Sequence, residues 1–430
     1  MKYFTVFALL GLFAPVLLSQ SISLDQLDKK SRKKYDKALK CFQKGEQGEG
    51  VMKLEEVVQK YPGFQKGSQK LAGIYLDNEQ NEKAITLLNK MMSHSDNVDP
   101  RLAMSISYPL EQTGDYAQAV AMLDDLVVSG TLKDKQKEQV VKRRDELAFR
   151  EKAYANPLPF TPQRMSPQIN TDDIEYHPGF NADGSMMIFV KVSGGKFKNE
   201  DLYFSRRVTK DSLAPAEPIT ALNTDGQEGA FSYSQDGKTL VFTACEWKDS
   251  YGGCDLYISF NSGSKWSDPV NMGSAINSEY WDSSPAMSTD GRSLYFSSKR
   301  PGGHGGADLW MVQLNNQNKW SEPINLGPEV NTKGNEETPY LHPDNSTLYF
   351  VSDGHIGLGS YDLFMSNRDA AQQWAAPENM GYPINTANRE GGLFVDLAGD
   401  KAYYASQIDL ASQDSIYRSG DIYYLSLIHI

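Results

Sequence analysis

Five acidic residues recur at one position of an internal repeat. Each lies five residues after an Asn, and these Asn residues are spaced 53 or 54 residues apart. The five acids are Glu175, Glu228, Asp282, Glu336 and Glu390. Carboxylates that converge on one point focus negative potential and can bind a cation such as Ca²⁺ or a cationic peptide. The alternative is a structural role, in which each acid accepts hydrogen bonds from neighbouring backbone amides and locks one repeat unit to the next.

Two cysteines form a second candidate pair. Cys245 and Cys254 flank an eight-residue loop, EWKDSYGG, between two predicted strands. In an oxidising compartment they could form a disulfide across the base of the hairpin, and the alternative is two buried thiols. The remaining Cys41 is expected to be a small buried residue in a helix.

The repeat that carries the acids has further landmarks at fixed positions. A Pro lies eight residues before each Asn. In four copies an Asp-Gly or Asp-Asn turn begins thirteen residues after the Asn, and the fifth copy has Ala398-Gly399-Asp400 instead. A β-rich stretch follows the turn, and a Gly-rich loop then leads to an Asp-aliphatic-aromatic triplet. The triplets begin at Asp201, Asp255, Asp308, Asp362 and Asp421. A period of this length with four short strands is typical of a β-propeller blade.

The four strands of a blade are named A (after the acid), B (after the turn), C (the triplet) and D (between Pro and Asn). The last copy ends just after strand C, whereas residues 162–169 match a strand D with no blade before it. This N-terminal piece can fill the C-terminal vacancy and close the ring, which removes exposed edges. We therefore predict a propeller of five blades over residues 157–425, with six blades as the alternative if the natural chain continues.

The blade topology predicts where the acids meet. Strand A is the innermost strand and begins near the acid, and the loop between strands B and C emerges on the same face. The five acids should then form a ring around one mouth of the channel, surrounded by the Gly-rich loops. The Asp of each triplet is better explained structurally, because it begins a strand directly after a turn.

The N-terminus, MKYFTVFALLGLFAPVLLSQS, predicts a secretory signal peptide over residues 1–21, with a short membrane anchor as the alternative. Residues 22–156 follow a helical pattern, in which Val51, Ala84 and Ala119 occupy matching positions at spacings of 33 and 35. These spacings bracket the 34-residue period of a tetratricopeptide array, whose groove suits a polypeptide ligand. The alternative is a plain helical spacer. The basic run at 142–144 is expected to be a solvated helix face.

Two strings of residues carry a resemblance to a known family. The string YFSSKRPGGHGGADLW and the preceding WSDPVNMGSAINSEYWDSSPAMSTDG resemble the WD40-like, TolB-type propeller repeat of periplasmic envelope proteins. Over residues 1–425 the chain resembles proteins that join tetratricopeptide repeats, this propeller and a C-terminal OmpA-like peptidoglycan-binding domain. The resemblance implies a place in the cell envelope, and some of these proteins act with type IX secretion and gliding machinery.

The chain departs from this family at its C-terminus. No residues correspond to the OmpA-like domain, so the resemblance implies no direct peptidoglycan-binding domain in this chain. Residues 426–430 match no repeat and look like a translated adapter tail. We expect either a shorter natural member of the family or a truncated gene model.

Charge and motifs narrow the function. Residues 1–156 hold 24 Lys and Arg against 21 Asp and Glu, a net charge of +3, whereas residues 157–430 hold 19 against 34, a net charge of −15. An acidic propeller argues against a nucleic-acid partner and favours basic or cation-bridged partners. The sequence contains no G-x-S-x-G elbow, no HExxH and no Cys/His cluster at metal-ligand spacing.

The sequence therefore favours an α + β multidomain protein, a tetratricopeptide-like helical array followed by a propeller, that is a non-enzymatic periplasmic scaffold. Envelope proteins would bind in the helical groove and on the propeller face. No cofactor is expected, and Ca²⁺ at the acidic ring is left open as an alternative. The alternatives are a propeller-based hydrolase or lyase, and a glycan-binding module that uses Trp247 and Tyr251 as exposed aromatic residues.

Overall fold

The structure is a computed structural model, and it describes residues 22–92, 100–181, 183–193, 199–263, 265–397, 399–406 and 420–426. Contacts within the chain divide it into two compact units, 1–151 and 152–430. The predicted signal peptide lies outside the described residues, as do residues 427–430 of the tail. No helix in the described ranges is long and apolar enough to span a bilayer.

The described part of the first unit contains seven α-helices, of which the last continues into the second unit. They are α1 (Lys29–Gln43), α2 (Gln47–Lys60), α3 (Gln65–Asp77), α4 (Asn81–Met92), α5 (Pro100–Gln112), α6 (Tyr116–Val128) and α7 (Asp134–Ala155). The Asp115 carboxylate caps α6 by accepting the N–H of Gln118. Within α6, Ala119, Leu123 and Leu126 recur on one face, and all three are buried.

The expected solvated face at 142–144 is wrong for Arg143, which is only 6% exposed. Its guanidinium donates to Ser107 Oγ at 3.1 Å and pairs with Glu111 at 2.5 Å. Arg144 pairs with Asp124 at 2.8 Å. Arg143 and Arg144 therefore form ion pairs with α5 and α6, whereas Lys142 is exposed as expected.

The second unit is a five-bladed β-propeller, as predicted. Its strands are, for blade 1, β2 (Ile174–Phe180), β3 (Met186–Ser193), β4 (Asn199–Thr209), β5 (Ser212–Leu213) and β6 (Glu217–Pro218); for blade 2, β7 (Gln227–Tyr233), β8 (Thr239–Cys245), β9 (Cys254–Phe260) and β10 (Val270–Asn271); for blade 3, β11 (Asp282–Met287), β12 (Ser293–Ser298), β13 (Asp308–Gln313) and β14 (Ile324–Asn325); for blade 4, β15 (Glu336–Leu341), β16 (Thr347–Ser352), β17 (Asp362–Asn367) and β18 (Glu378–Asn379); and for blade 5, β19 (Glu390–Val395), β20 (Lys401–Ser406), β21 (Asp421–Ser426) and β1 (Gln163–Arg164). The strands A, which are β2, β7, β11, β15 and β19, contact one another in a closed ring around the channel.

The short apolar runs of the sequence become strands B, which are covered on both faces by neighbouring blades. In β12, Leu294, Tyr295 and Phe296 are all 0% exposed. The turns that lead into these strands need a left-handed residue, and Gly291 has φ +67° where blade 4 has Asn345 at φ +57°. This requirement explains why the repeat keeps Gly or Asn at that position.

The ring closes where the strand count predicted. β1 pairs with β21 through Gln163–Tyr424 and Arg164–Tyr423. The Arg164 guanidinium holds both carboxylate oxygens of Asp421, at 2.6 and 2.9 Å. A single strand from the start of the propeller thus completes its last blade.

The repeated Asn fastens strand D to strand C. Asn331 Oδ1 accepts the N–H of Leu309 at 2.8 Å, and its Nδ2 donates to the carbonyl oxygen of Leu309 at 3.1 Å. A carboxamide offers both a donor and an acceptor, so it pairs with a residue as another strand would. The same pair of hydrogen bonds joins Asn170 to Ile422, Asn223 to Leu202, Asn277 to Leu256 and Asn385 to Leu363.

Candidate functional site

The five repeated acids lie at the first or second residue of each strand A, and all are 0 or 1% exposed. Each accepts a hydrogen bond from a Thr or Ser hydroxyl four residues earlier, and four of the five also accept the backbone N–H of that residue. The hydroxyl donors are Thr171, Thr224, Ser278, Thr332 and Thr386. Because each donor directly follows the Asn that ends one blade, the acid fixes the connection to the next. The carboxylates are therefore turned into these connections and not towards solvent.

Four of the five acids have additional partners that differ between blades. Glu228 accepts the indole N–H of Trp247 at 2.8 Å, and Glu336 accepts the Ser352 hydroxyl at 2.7 Å. Asp282 pairs with the Arg300 guanidinium at 2.6 Å. Glu175 lies 3.5 Å from Lys191 Nζ.

Glu390 is the least satisfied member of the set. Its Oε1 accepts the Thr386 hydroxyl at 2.6 Å, whereas its Oε2 has no hydrogen-bond partner within the described ranges. Burial raises the pKa of Glu390 to about 7. Blade 5 therefore carries a carboxyl group that can hold its proton near neutral pH.

The Asp residues of the triplets hold the Gly-rich B–C loops in shape. Asp308 accepts the N–H groups of His304 at 2.6 Å and Gly305 at 3.0 Å, and also the side-chain amide of Asn325. The same arrangement occurs at Asp255 and Asp362. These loops pack closely against the next blade. A Cβ on Gly305 of blade 3, for example, would lie 2.3 Å from the carbonyl oxygen of Gly334, which leads into blade 4.

The two candidate glycan-contacting aromatics differ in exposure. Tyr251 is 53% exposed. Trp247 is half-buried, its ring centroid is 4.5 Å from that of Tyr257, and its N–H is occupied by Glu228. In the same hairpin a disulfide joins Cys245 to Cys254, which are direct partners across β8 and β9.

Within the described ranges, one group of three residues has metal-ligand atoms close together, namely Cys41, Glu46 and Glu49 in the helical unit. Glu49 pairs with Lys53, and Cys41 is buried. Nothing else in the structure points to a metal there.

A central cavity of about 290 Å³ lies at the other end of the channel from the acids, among the turns that join strands A and B. The second halves of all five strands A form its wall. Its aromatic lining consists of His177, Phe180, Phe231, Tyr233, Tyr340, Phe394 and Tyr403. Asp183 and Asp396 lie at its rim, together with Gln235. This cavity is the candidate functional site of the propeller.

The floor of the cavity is formed by His177, Thr338 and Gly392, which belong to a layer in which the blades differ from one another. The seventh residue after each repeated Asn is His177, Ala230, Ser284, Thr338 or Gly392. A β-bulge interrupts every strand A at this level. The three members that precede Pro have left-handed backbones: His177 at φ +51°, Ser284 at +54° and Thr338 at +48°. Such strain costs on the order of 1–3 kcal/mol per residue and commonly marks a site where side chains are aimed.

Two polar atoms of this layer lie beside Gly392. His177 Nε2 lies 3.0 Å from the carbonyl oxygen of Phe231. A carbonyl only accepts, so Nε2 carries the ring proton and Nδ1 is left as an acceptor. Thr338 Oγ1 is buried without a hydrogen-bond partner in the described part of the chain. A Cβ on Gly392 would lie 3.3 Å from Nδ1 and 3.5 Å from Oγ1.

Sequence reasoning located the repeat but not this site. The repeat was recognised from residue types that every blade shares. The floor of the cavity lies at positions where the residue type differs from blade to blade. The available signal was the dipeptide that ends in Pro at one offset, as in His177-Pro178, Ser284-Pro285 and Thr338-Pro339.

Comparison with known proteins gives only remote similarities. No family model matches the chain, and no curated protein matches it significantly. Among solved structures, it is similar to a protein of Agrobacterium tumefaciens assigned as TolB (15% identity, 57% of this chain and 73% of that chain, TM-score 0.37).

It is also similar to a GH43 β-xylosidase/α-arabinofuranosidase from a compost metagenome (12% identity, 62% and 95%, TM-score 0.40). A third similar structure is a GH93 α-L-arabinofuranosidase of Fusarium graminearum (12% identity, 62% and 98%, TM-score 0.36). At these values neither the TolB nor the glycosidases indicate an activity for this chain.

Proposed function

We propose that this protein is a non-enzymatic scaffold of the cell envelope, exported to the periplasm, whose helical unit and propeller each bind a polypeptide. One observation carries the proposal. The repeated carboxylates, which are the residues best suited to acid–base or metal chemistry, are buried and hydrogen-bonded in the blade connections. The central cavity of the propeller remains open and is lined largely by aromatic and apolar side chains, which suit recognition.

The helical unit supports the proposal with a groove between α5 and α7. A hollow of about 650 Å³ there is lined by Met104, Tyr108, Val140 and Arg143, among others. Tyr108 is 52% exposed, and the Arg143 guanidinium lies 4.2 Å above its ring. We assign the paired helices to a tetratricopeptide-type array, in which such a groove is the usual peptide-binding surface.

The Cys245–Cys254 disulfide supports export, because disulfides persist in oxidising compartments. The sequence resemblance to envelope proteins makes components of type IX secretion and gliding machinery the first partners to test.

The test begins with crosslinking of the full chain in the envelope fraction and identification of the captured protein. That protein, once purified, should bind the purified chain, and Tyr108→Ala or a cavity variant should weaken binding. Val128→Ala, a change at a residue 84% exposed on α6, is the control and should have no effect. A captured protein that fails to bind the purified chain would contradict the scaffold.

The enzymatic alternative has its own outcome. The purified chain is incubated with envelope polysaccharides and with peptides, and the release of reducing ends or new amino termini is measured. Cleavage by the original chain that is lost in His177→Ala would replace the scaffold by a hydrolase or lyase that uses the cavity. Binding of a glycan without cleavage, lost in Tyr251→Ala, would favour the glycan-binding alternative.

A further inference from the structure

We propose that the central cavity of the propeller binds a lysine side chain presented by a polypeptide partner, with the ammonium group at the floor and the apolar stem along the wall. The inference rests on the proposed scaffold function and names the chemistry by which the propeller recognises its partner.

The floor of the cavity contains polar side-chain atoms that have no hydrogen-bond partner in the described part of the protein. His177 Nδ1 is an acceptor, because Nε2 donates to the carbonyl of Phe231 at 3.0 Å. Thr338 Oγ1 is buried without a partner within the described ranges. Both atoms lie within 3.5 Å of the position that a Cβ on Gly392 would occupy, so both border the same side of Gly392. His177 lines the cavity, and an ammonium group can donate to its Nδ1.

The wall suits the rest of a lysine side chain. Phe180, Phe231, Phe394 and Tyr340 line the cavity between floor and rim. Aromatic rings pack against a methylene stem, and their faces attract a cation. The Tyr340 hydroxyl donates to the carbonyl of Val395 at 2.6 Å, so this ring is held in place.

The rim attracts a cation. The turn that joins strands A and B carries an Asp in every blade, which gives Asp183, Asp236, Asp290, Asp344 and Asp396. Each carboxylate accepts backbone N–H groups of its own turn, which fixes it near the mouth. Hydrogen bonds hold the pKa of the first four below the ordinary value. Two of these residues, Asp183 and Asp396, line the cavity, and their charges favour a cation there.

Among the residues that line the cavity, Arg207 carries a positive charge, and two of its nitrogens are bound to backbone carbonyls. Arg207 Nε donates to the carbonyl of Gly184 at 2.6 Å, and Nη1 donates to the carbonyl of Lys210 at 2.7 Å. Its guanidinium lies 5.1 Å from the centre of the Phe180 ring. Arg207 thus holds the backbone at the rim of blade 1 in place. An anionic ligand would also meet the carboxylates of the turns between strands A and B.

The first test measures binding of short blocked peptides to the full chain by calorimetry. The peptides share one sequence and carry lysine, acetyl-lysine, norleucine, arginine or glutamate at the central position. We expect the lysine peptide to bind at least about tenfold tighter than the acetyl-lysine and norleucine peptides, the factor typical of one hydrogen bond to a charged group. Its affinity should fall as salt is added.

Equal binding of the norleucine or acetyl-lysine peptide would overturn the proposal, because it would reduce the cavity to an apolar well. Preference for glutamate would overturn it in favour of an anion site at Arg207. Preference for arginine over lysine would show that the site is built for a guanidinium and would also overturn it. Absence of measurable lysine binding at millimolar concentration has the same consequence.

The second test uses variants. Gly392→Ala places a methyl group between the two acceptors and should weaken lysine-peptide binding at least about tenfold, as loss of a charged hydrogen bond does. Asp183→Asn with Asp396→Asn keeps the turn hydrogen bonds but removes two charges, so it should weaken binding at low salt more than at high salt. Gly253→Ala is the matched control, because a Cβ there has nothing within 4 Å.

Unchanged binding in a folded Gly392→Ala protein would overturn the proposal, and the double Asn variant decides if Gly392→Ala fails to fold. The two proposals fail separately. If an identified envelope partner binds the chain while no lysine peptide does, the lysine site is wrong and the scaffold stands. If the peptides are cleaved, the scaffold is wrong.

Discussion

Replacing Gly305 by Ala tests whether the B–C loops lock neighbouring blades together. The added Cβ would lie 2.3 Å from the carbonyl oxygen of Gly334 and 2.5 Å from that of Thr332, which are backbone atoms of the next blade. Moving this backbone away also weakens the bond from Gly306 N to Gly334 O, now 2.7 Å long. Overpacking costs about 1–3 kcal/mol and a lost hydrogen bond about 1 kcal/mol, so we expect a loss of about 2–4 kcal/mol.

Tryptophan fluorescence during urea unfolding measures this loss in the full chain. All six Trp residues lie in the propeller sequence, so their signal reports this unit alone. Gly253→Ala, which adds the same methyl group to a B–C loop without a neighbour within 4 Å, is the control. A Gly305→Ala protein whose unfolding midpoint equals that of the control would refute the blade lock.

Three further changes probe the propeller. Glu390→Gln should remove a pH dependence: because the folded-state pKa of about 7 exceeds the ordinary 4.5, the original chain loses stability as pH rises from 4.5 through 7. The difference in unfolding free energy between the original chain and the Glu390→Gln variant should approach about 3 kcal/mol at pH 8 and vanish near pH 4. Urea midpoints that are equal for the two proteins at both pH values would contradict this prediction. Asn331→Ala leaves the N–H of Leu309 unpaired, whereas the Leu309 carbonyl keeps the N–H of Leu326 as a donor, so the change should cost about 1–3 kcal/mol by the same assay; a loss under 0.5 kcal/mol would count against the Asn clamp. Replacing Cys245 and Cys254 by Ser should lower stability by about 2–3 kcal/mol, and a reductant should then affect only the original chain.

The sequence was sufficient to predict the propeller because its landmarks have local physical causes that every blade shares. Gly or Asn is required at a left-handed turn, as at Gly291, and Asn is required to pair with both groups of a neighbouring strand, as at Asn331. The ring closure followed from counting strands, since one strand D was left over at the start and one was missing at the end.

The sequence was not sufficient for the cavity. Its floor depends on a bulge and on left-handed backbones at His177 and Thr338, neither of which has a periodic residue type. The shared acids drew attention to the opposite end of the channel, where burial and hydrogen bonds from Thr or Ser occupy them. The burial of Arg143 also escaped prediction, because a basic run does not reveal that another helix supplies Glu111.

The seam between β1 and β21 has a mechanical consequence. These two strands are antiparallel, and Gln163 lies opposite Tyr424 near the ends at which the chain enters and leaves the propeller. Tension between residues 162 and 425 would therefore load the pairs one after another, in the manner of a zipper, rather than all at once in shear. In the other four blades, continuous backbone joins strand C to strand D. A scaffold pulled through its ends would thus yield first at this seam, and Arg164 with Asp421 would set the force at which it opens.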